Sequence, residues 1–183
     1  YLYMLLRSRR DSSIVATALA DFLAAHPNHR EATLDAARFY AARRTYLRAD
    51  SLLASALRIS PAADSRSRVH EERAGLLIDA LAVDSLHLPP HWRTAEALRA
   101  LDRADSLAPR PSSALLRGVI LYGQGRNREA FAAFERVNRS DAASLRSFFF
   151  AAQALSRAGG NDSAVVALLD SALAHTPTPF TAE

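Results

Sequence analysis

REATLDAARFYAARRTYLRADSLLASALRISP, residues 30–61, is the stretch whose reading decides the fold. It divides into two short amphipathic segments joined by a tight turn and closed by Pro61. In the first segment Ala37 and Tyr40 stand three apart; in the second, Ala49, Leu53 and Ala56 stand four and three apart. Residues so spaced share one face of a helix. Small residues on that face let two helix backbones approach closely, while Tyr40 and Leu53 fill the space beside them. Pro61 stops the second helix, because a proline in a helix interior loses a hydrogen bond and clashes with the preceding turn. The same punctuation returns along the chain: Pro27 to Pro61 is 34 residues, and Pro109 to Pro177 is twice that. A fixed period of this length marks an array of helical repeats.

The order within the unit is a small residue, two positions, an aromatic; then Ala, three positions, a large apolar residue; then a closing proline. Carried by Ala37, Tyr40, Ala49, Leu53, Ala56 and Pro61, it resembles the tetratricopeptide repeat (TPR) family. The resemblance implies an all-α fold: a right-handed superhelical array of antiparallel helix pairs, an α-solenoid of about four and a half repeats. It covers nearly the whole chain. One domain is expected over residues 1–183, with repeats near 1–28, 29–62, 63–110, 111–144 and 145–178. The third carries an insertion at 84–92.

Composition agrees with a folded helical protein. Of the 183 residues, 49% are apolar and 23% charged, which is globular rather than disordered. The chain has no Cys, which excludes a disulfide framework and thiolate metal sites. All 23 basic residues are Arg, a bias that reads as genomic base composition before any functional demand. A net charge of +4 is modest, and Arg is interspersed with acids, as in Asp35/Arg38 and Glu135/Arg139. This is the pattern of a solvated surface. No apolar run approaches the length of a membrane span. The first residue is not Met and both ends cut into the pattern, so a longer natural chain is expected. The sequence does not fix the compartment; the expectation is no narrower than a soluble face of a bacterial cell, cytoplasm or periplasm, or a membrane surface.

Taken in order, residues 1–10, YLYMLLRSRR, read either as the tail of an anchor followed by positive charge or as the remnant of a first helix. The second reading is favoured, since Tyr3 and Leu6 lie 34 residues before Ala37 and Tyr40. Asp11 or Ser12 caps the next helix, whose packing face is Val15, Leu19 and Phe22. Residues 63–67 read as a polar connector, and residues 69–83 as a helix with Ala74, Leu77 and Leu81 inward. Pro89 and Pro90 bar helix in the insertion, and helix resumes near Arg93 with Ala97, Leu101 and Ala104 inward. Pro111 opens the next helix. Gly118 and Leu121 take the small and large roles there, residues 123–125 turn, and Ala130, Phe134 and Val137 follow. A last pair spans residues 147–157 and 164–174, turned by Gly159 and Gly160.

Candidate chemistry reduces to bland readings. His26 and His29 lack carboxylates at metal-ligand spacing and read as loop residues between repeats. His70-Glu71 starts like a zinc-protease helix motif, but Ala74 stands where a second His is required. His87, His91 and Trp92 flank the double proline, and the loop is either a binding element or a segment pinned to the array by Trp92. Gly159-Gly160-Asn161-Asp162 lacks the residues of a phosphate loop, and no Ser sits in a strand–turn–helix elbow. No catalytic residue, cofactor or metal is expected, and the chain is read as a non-enzyme.

Binding is therefore the expected work. Three consecutive aromatics, Phe148-Phe149-Phe150, cannot all face one side of a helix. The resemblance implies that first helices line a concave surface that holds a partner polypeptide. It would be lined by Glu31, Leu34, Asp35 and Arg38 in the second repeat, and by Leu115, Leu116, Val119 and Tyr122 in the fourth. In the last repeat it would be lined by Arg146, Phe149, Phe150, Gln153 and Arg157. The pair of basic clamp positions for a peptide C-terminus is not clearly reproduced. The leading expectation is a protein-interaction module or scaffold, with Leu115, Val119, Tyr122, Arg146, Phe149, Phe150, Gln153 and Arg157 as partner-binding residues. The alternatives are an accessory subunit packed onto a larger, membrane-associated assembly, and a nucleic-acid binder using Arg7, Arg9, Arg10, Arg43, Arg44, Arg66 and Arg68. The last lacks aromatics interleaved among its cations, which base stacking needs.

Overall fold

The computed structural model describes residues 12–83, 88, 89 and 91–175. Among the described residues there are nine α-helices and no strand. These are α1 (Ser12–Ala25), α2 (Arg30–Ala42), α3 (Tyr46–Ile59), α4 (Ala63–Val83), α5 (Thr94–Leu107), α6 (Pro111–Gly123), α7 (Asn127–Asn138), α8 (Leu145–Arg157) and α9 (Asp162–Ala174). The expectations for residues 1–10 and for a cap at Asp11 lie outside the described residues, as do His87, Pro90 and the closing stretch 176–183. The chain divides at Ala108/Pro109 into two compact units, α1–α5 and α6–α9.

In the first unit each helix packs on its neighbour in sequence, most extensively α2 on α3 and α4 on α5. Ala37, Ala49 and Ala56 are fully buried where α2 and α3 meet, and Tyr40 and Leu53 are buried beside them. Ala97, Leu101 and Ala104 of α5 face inward, as do Ala74 and Leu77 of α4, while Leu81 is only half-buried. Val15 and Leu19 of α1 are buried and Phe22 is half-buried. Polar ties fix how the helices meet. Arg73 pairs with Asp50 of α3 at 2.6 Å and with Glu96 of α5 at 3.6 Å, so one guanidinium bridges three helices.

Residues 63–67 are helical and not a connector. Asp64 and Arg68 make an i,i+4 pair at 3.2 Å, and the buried Ser67 hydroxyl donates to the carbonyls of Ala104 and Ala108 at 3.0 Å each. A polar run thus begins α4 because its hydroxyl is spent on the end of α5. Helix stops at Val83 and resumes at Thr94. Between them the described residues are non-helical, and the Trp92 amide donates to the Pro89 carbonyl at 2.8 Å. Trp92 is buried, so it packs this segment inward rather than presenting a ring to solvent.

In the second unit α6 packs on α7, α7 on α8 and α8 on α9, and α6 also touches α8. Gly118 meets the Phe134 ring so closely that a Cβ there would stand 2.5 Å from the nearest ring carbon. Phe134 is fully buried, with Ala130 and Val137 on the same face of α7.

The turn within three of the helix pairs is built alike. Arg44, Gly125 and Gly159 each have positive φ, at 59°, 73° and 77°. The following amides of Thr45, Arg126 and Gly160 each donate 2.9 Å back to the carbonyls of Tyr40, Leu121 and Leu155. This left-handed closure satisfies carbonyls that the helix end would otherwise orphan. A buried hydroxyl also recurs in the first turns of the helices opening each pair: Thr33 and Ser67 are 34 residues apart, as are Ser113 and Ser147.

Two outcomes follow from this packing. Gly118→Ala should destabilise the protein by about 1–3 kcal/mol, because the Phe134 ring has no free volume into which to retreat; a denaturant titration against the parent measures it. His70 is buried on α4 with its Nδ1 unpartnered, and burial first, then the Arg103, Arg73 and Arg66 charges, holds its pKa below the ordinary value. A histidine depressed in the folded state binds protons more readily when unfolded. Its contribution is present above the ordinary value and is lost as pH falls through the depressed one. Thermal stability should therefore drop below about pH 6.5, and His70→Gln should flatten that part of the profile.

Candidate functional site

The solvent-facing stripe of α8 carries Phe149, Gln153, Ser156 and Arg157, at spacings of three and four along one face, with the buried Ala152 at its floor. Tyr122 near the end of α6 flanks this stripe on one side, and Val165 and Leu169 of α9 flank it on the other. Together these eight residues line a groove of about 320 Å³. Its existence follows from the short 158–161 turn, which folds α9 back along α8 without covering the stripe. The capping box at the start of α8 sets that helix: the Ser144 hydroxyl accepts from the Ser147 amide, and the Ser147 hydroxyl accepts from the Ser144 amide.

Within the groove, the Tyr122 hydroxyl donates to Gln153 Oε1 at 3.1 Å. The Arg157 guanidinium lies over the Tyr122 ring, 4.5 Å from its centroid. A cation held on an aromatic face is placed without being neutralised. Phe149 is 43% exposed, an open apolar surface on the groove wall.

The residues expected to bind a partner thus separate. Tyr122, Phe149, Gln153 and Arg157 come together as lining of one groove. Leu115, Val119 and Phe150 do not: all three are half-buried and pack against the cluster of Leu121, Ala130, Phe134, Ala151 and Ala154. Phe150 stacks on Phe134 with centroids 5.6 Å apart, so the middle of α6 and the last Phe of the run serve the contact with α7. Arg146 is exposed and lies over the Phe150 ring at 5.6 Å, away from the groove. Phe148 packs against His175. Among residues assigned to the same face in the first unit, Leu34 is buried in the core. Arg38 lines a separate groove of about 280 Å³ with Ala37, Ala41, Leu53, Glu72 and Leu76. There Arg38 is paired with Asp35 at 3.1 Å and with Glu72, and these carboxylates raise its pKa.

Sequence reasoning overlooked Ala152, Ser156, Val165 and Leu169. The i,i+3/i+4 stripe starting at Phe149 was the available signal for the first two; Val165 and Leu169 depend on how α9 is rotated, which no local pattern states. The histidines have structural places. His29 caps α2, its Nδ1 accepting from the Ala32 amide at 3.1 Å, and the rings of His26 and His29 pack against Phe22. Of the basic residues considered for nucleic acid, Arg43 lies 3.6 Å over the Phe39 ring and Arg68 pairs with Asp64. No described helix is long and apolar enough to cross a membrane.

No family model matches the sequence, and no curated protein sequence does. Solved structures share the fold. The crystal structure of MamA aligns with a TM-score of 0.70 at 19% identity, covering 90% of this chain and 88% of that one. A MamA RS-1 double mutant aligns at 0.68 and 13% identity, covering 89% and 84%. YrrB, described as a TPR protein with an unusual peptide-binding site, aligns at 0.61 and 20% identity, covering 91% and 78%. At such identities the likeness establishes the fold, a TPR-like array of helix pairs.

The partition of the Phe run can be measured. Phe150→Ser removes a ring stacked in the core and should cost about 2–4 kcal/mol. Phe149→Ser removes an exposed ring and should change stability by less than about 1 kcal/mol. Comparable losses in melting temperature for both would put Phe149 in the core as well.

Proposed function

We propose that this chain is a protein-interaction module that binds a partner polypeptide through the open face of its second unit. The observation that carries this reading is the groove along α8. An exposed Phe, two aliphatic side chains, a hydrogen-bonded Tyr–Gln pair and an Arg share one concave surface. Aromatic and Arg side chains are the usual anchors of protein interfaces. Stacked helix pairs offer such surfaces as extended binding faces. The peptide-binding description of YrrB supports the same kind of work here. Repeats opening near residues 29, 63, 111 and 145 would supply the scaffold, with no catalytic role and no cofactor.

A second reading has its own observation. Outside the groove lining, α9 exposes Val166 at 55% and Leu173 at 70%, seven residues apart on one helix face. Such a face suits permanent packing in a larger assembly, making the chain an accessory subunit.

A photo-crosslinking residue placed at position 149, compared with one at 173 and a control at the exposed Leu47 of α3, separates the readings in the cell of origin. Adducts to a polypeptide at 149 alone support the groove. Adducts at 173 that persist through purification favour the subunit reading, and equal labelling at 47 defeats both.

A further inference from the structure

We infer that the α8 groove selects a polypeptide segment carrying an apolar side chain and, three or four residues away, an Asp or Glu side-chain carboxylate. This rests on the reading of the groove as a polypeptide site and names what that site recognises.

The argument is one of unspent donors. Arg157 is the single charged residue among the groove's lining, and it makes no ion pair among the described residues. Its guanidinium rests on the Tyr122 ring, which fixes its place and leaves its N–H edge for a ligand. Gln153 stands one turn earlier on the same stripe. Because its Oε1 accepts from the Tyr122 hydroxyl, its amide NH2 is turned away from that bond and remains a donor. Two donors thus flank Tyr122, one on its hydroxyl and one over its ring, with no acid in the lining to satisfy them. An anion is the complementary group, and a guanidinium pairs with a carboxylate in bidentate fashion.

The end of the groove away from Arg157 is apolar: Phe149 lies on the stripe two turns before Arg157, and Leu169 stands on the facing helix. Eight residues of α-helix span about 12 Å. An extended segment covers that distance in about four residues, which sets the separation of its apolar and acidic side chains. A side-chain carboxylate, rather than a chain terminus, lets the segment run past Arg157. Contrast with the first unit sharpens the assignment: the cation in that groove, Arg38, is already satisfied by Asp35 and Glu72, so it makes no comparable demand.

The test uses the full chain and an array of synthetic twelve-residue peptides, acetylated and amidated so that no terminal charge is present. Each peptide holds one Leu or Phe and one Asp, one to six residues apart, in a Ser/Ala background, with an Asn counterpart for every Asp. Binding should peak at a separation of three or four and fall by about tenfold when Asp becomes Asn. Arg157→Gln should erase the Asp/Asn difference, Arg157→Lys should retain part of it, and Phe149→Ser should remove binding to all peptides. Equal binding of Asp and Asn peptides, still lost with Phe149→Ser, overturns the carboxylate assignment and leaves the groove as a binding site. Tighter binding of peptides with a free C-terminal carboxylate overturns the choice of a side-chain acid. Binding that Phe149→Ser does not affect, or no binding at all, overturns the groove reading and this inference with it.

Discussion

Everything in this fold depends on how closely two helix backbones can approach. Buried alanines on packed neighbouring helices, Ala37 with Ala49 and Ala56 and Ala74 with Ala97 and Ala104, and Gly118 against the Phe134 ring are all cases of one constraint. A side chain of one carbon, or none, brings helix axes toward the short end of their usual separation. The large residues then fall beside the contact and not within it. The buried alanines are therefore a geometric statement, and each helix pair packs as a thin slab.

Thin slabs leave little room to bury polar atoms, and the molecule answers with local ties. The Ser67 hydroxyl closes the end of α5, Arg73 gathers Asp50 and Glu96, and the Ser144–Ser147 box closes the start of α8. These ties sit at helix ends and between layers. The rest of the α8 groove face, out to the last residue of the helix, carries Phe149, Gln153 and Arg157. The polar ties hold the helix ends, and the groove residues are left without a role in them.

The helix pairs were legible from periodicity because small residues and prolines recur at fixed spacing and the repeat forces a register. Turns marked by Gly125 and Gly159 were legible for the same reason, since left-handed backbone favours glycine. The matching turn between α2 and α3 was legible as a turn, but its left-handed residue was not, because Arg44 has a side chain that rarely adopts that conformation. The start of α4 was misread because Ser67 looks like a loop residue until its acceptors, 37 and 41 positions away, are known. The site was half legible. A helical stripe predicts which residues of α8 face together, so Phe149, Gln153 and Arg157 could be grouped. Whether a neighbouring ring such as Phe150 turns to that stripe or to the core depends on Phe134, a residue of another helix. The 34-residue recurrence of buried Thr33 and Ser67, and of Ser113 and Ser147, was available in the sequence but is masked by the ordinary reading of a hydroxyl as surface.

The ion pair between Arg38 and Glu72 joins equivalent positions of neighbouring repeats. The two residues are 34 apart, the same interval that separates Thr33 from Ser67, so they occupy one position in consecutive copies of the unit. Identical copies would set like charges against each other at that point, and like charges in contact repel. A consensus that placed Arg, or Glu, in both copies would set like charges together here, whereas the chain as it stands carries one of each and ties α2 to α4.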